Sequence, residues 1–116
     1  MLRLQVELVH DRGCPNVARA RAVLTRALQE AGVPAVWSEW VADDPGCPDH
    51  LRTLGSPTVL INGEDVAPGP HRWAPLRSGE APRTRVYRDT DGRTSEVPPL
   101  GRILEAVLRA ITPDAG

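Results

Sequence analysis

Leu54-Gly55-Ser56-Pro57-Thr58-Val59-Leu60-Ile61-Asn62-Gly63 is the stretch on which the architecture turns. Pro57 to Ile61 is a short apolar run bounded by turn residues, the mark of a buried strand. A proline at a strand's first residue has no ladder hydrogen bond to lose. An X-Pro bond in a tight turn can also be cis, which makes Ser56-Pro57 a candidate. Asn62-Gly63 is a type I′ hairpin signal, so Glu64-Asp65-Val66 is expected to return antiparallel. An antiparallel hairpin in the middle of the chain has to be joined to whatever sheet the preceding residues build.

Those residues read as strand, helix, strand. Leu2, Leu4, Val6 and Leu8 alternate with Arg3, Gln5 and Glu7, and Val9 extends the run. The strand ends at the turn His10-Asp11-Arg12-Gly13. After Cys14-Pro15, Val17, Ala20, Leu24, Ala27, Leu28 and Ala31 recur at helical spacing. Pro15 suits the first helical turn, and Gly32 suits the stop. Val33 to Val41 reads as a second strand, whose Trp37 and Trp40 face opposite sides. A right-handed crossover makes these two strands parallel. Asp43 to Pro48 is a loop, and Asp49 to Leu54 has room for a turn or two of helix.

Downstream, Ala67 to Pro82 is rich in proline, glycine and charge and reads as a long loop. Arg83 to Arg88 reads as one more strand around Val86 and Tyr87, and Asp89 to Pro98 as another loop. Pro99 opens a last helix with an apolar stripe of Leu100, Ile103, Leu104, Val107, Leu108 and Ile111. The expected class is therefore α/β, a mixed sheet of about four to five strands flanked by helices. Residues 1–112 are read as a single domain and 113–116 as a short tail.

Composition narrows the chemistry. The 116 residues are 41% apolar and 25% charged, with a net charge of −1. One core is affordable at this length and a second is not. The near-neutral balance argues against nucleic acid as a partner. All fourteen Lys and Arg residues are arginine, so Schiff-base chemistry and a phosphate-loop lysine are excluded. No apolar run is long enough to span a membrane, and the first nine residues lack the features of a targeting segment. The cytoplasm is the expected location. No Gly-x-Gly-x-x-Gly or phosphate loop is present, so no cofactor is expected.

Cys14 is the first chemical candidate. Between a strand end and a helix start, a thiolate is favoured by the helix dipole and by unpaired N–H groups. The bland alternative is a small buried residue closing the turn. The topology places the start of the third strand at the same end of the sheet, so Cys14 and Ser56-Pro57 are expected to be neighbours. Cys47, in the loop after the second strand, also falls at that end. It is either a resolving partner for Cys14 or a loop thiol without a role. A competing metal reading joins His10, Cys14, Cys47 and His50 as a Cys2His2 set. Trp73, with His71 and Arg72, is either a flap over the Cys14 end or a loop anchor.

Gly13-Cys14-Pro15-Asn16, then Leu54-Gly55-Ser56-Pro57-Thr58-Val59 and Asn62-Gly63, resemble the thioredoxin fold. Within it they resemble a group of small bacterial thioredoxin-like proteins, some carrying selenocysteine at the Cys14 position and some labelled alkylmercury-lyase-like. Arg85-Val86-Tyr87-Arg88 and Val97-Pro98-Pro99 also look like that group. The resemblance implies thiol redox chemistry at Cys14, and the topology leaves Cys47 as either its recycling partner or a loop thiol without a role. In the redox reading the substrate is expected against Pro15, Ser56 and Pro57, with Trp73 as a candidate lid, and the backbone around Ser56-Pro57 supplies the hydrogen bonds. The implied partner is a thiol, disulfide or peroxide substrate, or another protein. Two departures stand out. Val17 occupies the place of the second cysteine of a Cys-x-x-Cys pair, and Thr84 stands where the group has a further cysteine. A non-catalytic binding or accessory module, able to take a soft metal through its thiols, therefore stays open beside the redox reading.

Overall fold

The computed structural model describes residues 4–68, 80–89 and 91–112. Its elements run β1 (Val6–His10), α1 (Val17–Glu30), β2 (Ser38–Val41), a 3-10 turn (Asp49–Leu51), β3 (Thr58–Ile61), β4 (Glu64–Asp65), β5 (Tyr87–Arg88), β6 (Thr94–Ser95) and α2 (Leu100–Ile111). Strands β2, β1, β3 and β4 lie side by side in that order. β1 pairs parallel with β2 and antiparallel with β3, and β3 pairs antiparallel with β4. The chain is thus a mixed α/β structure with a four-stranded mixed sheet and two helices. The segment around Tyr87 does not become a fifth strand of that sheet. It pairs with β6, which the sequence reading leaves inside a loop, in a separate two-stranded ribbon.

β1 is central, and all five of its residues are buried. Strand alternation sends Val6 and Leu8 to one face, where they meet Val59 and Ile61 of β3. That face is covered by Ala20, Leu24, Ala27 and Leu28 of α1 and by Ile103 and Val107 of α2. Val9 and Leu60 point the other way and pack with Ala42, Cys47 and Leu51 in a second, smaller cluster. Trp37 packs on the first cluster and Trp40 on the second, the opposite-face arrangement expected from their spacing.

The ends of the elements follow local rules. Asn62 (φ 52) and Gly63 (φ 82) both take positive φ, which a type I′ turn demands. α1 stops at Gly32 (φ 75), where the Gly32 N–H bonds the Gln29 oxygen and the Val33 N–H bonds the Leu28 oxygen. This is a Schellman closure. With Val33 held by the helix, β2 starts only at Ser38, five residues later than the sequence pattern places it. No helix among the described residues is long and apolar enough to cross a membrane.

Candidate functional site

Cys14 stands on a turn, not in the helix. Its N–H donates to the Asp11 oxygen at 3.1 Å, Gly13 takes φ 76, and α1 begins at Val17 with Asn16 as its cap. Pro15, expected in the first helical turn, is therefore an exposed residue ahead of the helix. The Asn16 amide donates to Glu96 Oε2 at 2.9 Å and makes no capping bond to the helix. The Cys14 residue is 6% exposed.

The expected neighbourhood of Cys14 and Ser56-Pro57 is present. The Ser56-Pro57 bond is cis. The Asp11 N–H donates to Ser56 Oγ at 2.9 Å, tying the Cys14 turn to the start of β3. Residues 83–87 close the arrangement. The Ser56 N–H donates to the Arg83 oxygen at 3.0 Å, and the Arg85 N–H donates to the Ser56 oxygen at 2.9 Å. These two bonds make a parallel bridge between Ser56 and Thr84. The Tyr87 hydroxyl donates to the Pro57 oxygen. Ser56 and Pro57 are thus at the site, but their hydrogen-bonding groups are engaged within the chain.

Two arginines, Arg85 buried and Arg83 largely so, fix that segment. The Asp11 carboxylate accepts three hydrogen bonds from Arg83: Oδ2 takes the backbone N–H at 2.7 Å and Nε at 3.0 Å, while Oδ1 takes Nη2 at 2.9 Å. Arg85 donates to Thr58 Oγ1, Asp65 Oδ2 and the Ala67 oxygen at 2.9, 2.6 and 2.7 Å. Its guanidinium also lies 4.6 Å from the centre of the Tyr87 ring, a cation–π contact. Burial pushes the Tyr87 hydroxyl well above its usual range, with Arg85 opposing. Asp11, Arg83 and Tyr87 were not singled out by the sequence reading. The alternation of this segment is inverted: Arg85 and Tyr87 turn inward, while Val86 between them is 68% exposed.

Cys47 is placed differently. It belongs to the small cluster on the sheet face away from α1 and α2. Burial pushes its thiol up, against a lowering by Arg52. Its sulfur donates to the Pro48 oxygen at 3.6 Å. Arg52 holds the surrounding loop by donating to the oxygens of Ala42, Asp44, Pro45 and Cys47. Both cysteines are free thiols. The metal reading does not assemble: among the described residues no three His, Cys, Asp or Glu side chains group to hold an ion. His10 instead contacts Glu39 Oε2 and the Asp11 oxygen, and His50 is exposed on the 3-10 turn. Trp73, with His71 and Arg72, lies outside the described residues.

Glu39 on β2 gathers the other polar cluster. It accepts from Arg21 Nε at 3.0 Å and Nη2 at 2.5 Å, from Trp37 Nε1 at 3.1 Å, and contacts His10. The Arg21 hydrogen bond, working against burial, brings its carboxyl from 4.5 down to about 2. A carboxyl lowered in the folded state contributes stability above its unfolded value and loses it as pH falls through the folded one. Glu39→Gln should therefore flatten the decline in urea midpoint between pH 4.5 and about 2. Solvent screening limits this to about 1 kcal/mol. An undiminished decline in the variant would assign it to other carboxylates.

An open groove of about 430 Å³ runs between the β3–β4 hairpin and α2, lined by residues that include Ile61, Val66, Arg102 and Ala106. None of its lining residues belongs to the Cys14 turn or to the Ser56-Pro57 step. The chemistry-bearing residues and this groove are separate features. No protein-family model, curated protein or solved structure matches the chain.

Proposed function

We propose that the chain is a thioredoxin-like, thiol-dependent redox protein in which Cys14 is the attacking group. The observation that carries this is the Asp11 N–H to Ser56 Oγ bond, which holds the Cys14 turn against the Ser56-Pro57 step. The strand order β2-β1-β3-β4, with a parallel first pair and an antiparallel hairpin, supports the thioredoxin-like reading. The cysteine alone is not sufficient support, because a buried thiol is often only a small apolar residue.

Thiol–disulfide exchange needs a single cysteine. The Cys14 thiolate attacks one sulfur of a disulfide, a new S–S bond forms, and the old one breaks. The leaving thiolate takes up a proton. A low-molecular-weight thiol then attacks the mixed disulfide, and the Cys14 thiolate leaves. One disulfide is consumed and one is formed, so no other oxidant or reductant enters. Val17 in the second motif position fits such a cycle. So does Cys47, whose raised thiol and packing among Val9, Ala42, Leu51 and Leu60 suit it poorly to a recycling role.

Cys14→Ser should abolish the mixed disulfide formed with mercaptoethanol disulfide, read as the loss of one mercaptoethanol adduct by mass. Cys47→Ser should retain it at Cys14. An adduct that maps to Cys47, or survives in Cys14→Ser, would refute this assignment. The second reading, a non-catalytic binding or accessory module, draws on the near-complete burial of Cys14. It gains if Cys14 forms no adduct while Cys14→Ala loses binding to a partner protein.

A further inference from the structure

An extended polypeptide binds a sheet edge by pairing its backbone with free N–H and C=O groups on that edge. Beside Cys14, the backbone that offers such groups is the Ser56-Pro57 step. Each of them already has a partner from this chain. The Ser56 N–H is held by the Arg83 oxygen, the Ser56 oxygen by the Arg85 N–H, and the Pro57 oxygen by the Tyr87 hydroxyl. Proline has no N–H to offer. The Ser56 hydroxyl is also engaged, by the Asp11 N–H. Residues 83–87 thus take up the backbone pairing that this step could offer a peptide.

The occupying segment is firmly seated. The Arg83 backbone N–H and guanidinium both bind the fully buried Asp11 carboxylate. Arg85 is tied to β3 through Thr58 and to β4 through Asp65. A peptide would have to break several hydrogen bonds and expose a buried ion pair before making its own. The second observation is independent of the first. Cys14 is only 6% exposed, so the approach to its sulfur is narrow. A small disulfide needs only a path to one sulfur atom.

We infer that the substrate of Cys14 is a low-molecular-weight disulfide, and that residues 83–87 are the specificity element excluding extended polypeptides. This rests on the thiol-exchange reading above. The reaction is the same balanced exchange: Cys14 takes one half of the small disulfide, the other half leaves as a thiol, and a second small thiol releases Cys14.

The test uses the full chain and two matched probes. One is mercaptoethanol disulfide. The other is a short extended peptide bearing the same mercaptoethanol disulfide on a central cysteine. Mercaptoethanol serves as the releasing thiol for both. The small probe should form the Cys14 adduct about tenfold faster or more, since the peptide must first displace hydrogen bonds worth roughly 1 kcal/mol each. Hydrogen exchange gives a readout that needs no variant. The Ser56 and Arg85 amides should keep their protection when the peptide is added. Equal rates on the two probes, or loss of protection at these amides, would overturn the substrate assignment and leave the thiol-exchange reading intact. No Cys14 adduct with either probe would overturn both.

Discussion

Arg83→Met should destabilise the protein by about 3–5 kcal/mol, the cost of leaving a buried charge without its partner. The Asp11 carboxylate is fully buried, and the Arg83 side chain that pairs with it is 10% exposed. Methionine keeps most of the apolar stem and removes every guanidinium donor. Asp11 would then retain only the residue 83 backbone N–H. Asp11→Asn supplies the control, because asparagine stays neutral and keeps an oxygen for that N–H. In the Asp11→Asn background the same Arg83→Met change should cost about half as much or less, the difference being the coupling of the pair. Urea denaturation of the four proteins measures it. A cost below about 1 kcal/mol for Arg83→Met alone would mean the pair behaves like a surface ion pair.

Leu24→Ala should cost about 2–5 kcal/mol, from lost burial and the cavity left behind. Leu24 is fully buried in α1, on the face that meets Val6, Leu8, Val59 and Ile61, and α2 closes the cluster from the side. Folded domains have only about 5–15 kcal/mol in hand, so this single change removes a large part of the margin. Leu108→Ala is the comparison. Leu108 belongs to the apolar stripe of α2 but is 43% exposed. Its removal should change stability by about 0.5 kcal/mol or less. If the two variants lose equally, the cluster between α1, α2 and the sheet is not where the stability lies.

The contrast between Leu24 and Leu108 shows what periodicity carries. A stripe at helical spacing identifies a helix and its inward side, and both helices were legible from it. It does not say how far across the stripe the neighbours reach. The hairpin was legible because Asn62 and Gly63 are among the few residues that take positive φ at low cost. β2 was overextended because Val33 to Trp37 has strand-like composition, while the Val33 N–H is spent on closing α1. β6 was missed because Thr94–Ser95 is too short to have a pattern.

The candidate site divides in the same way. Cys14, Ser56 and Pro57 were legible because turn chemistry and strand direction put them at one end of the sheet. Asp11, Arg83, Arg85 and Tyr87 were not, because their role depends on contacts across long sequence separations. Asp11 and Arg83 are 72 residues apart. Arginine in a strand is ordinarily read as its solvent side, and here the solvent side carries Val86. Cys47 was legible as near the correct end of the sheet, but strand direction does not decide which face a loop thiol joins.

The chain has no lysine, and its fourteen permanent cations are all guanidinium groups. Arg52, Arg83 and Arg85 use theirs as internal braces, each reaching several acceptors with one planar fork. An ammonium group has fewer donors and no such fork, and it can surrender its proton when buried. These braces cannot. Their charge is permanent over any pH at which the chain stays folded, so these three braces do not loosen by titration. Lysine acylation, a common means of erasing positive charge, has no side chain here to act on.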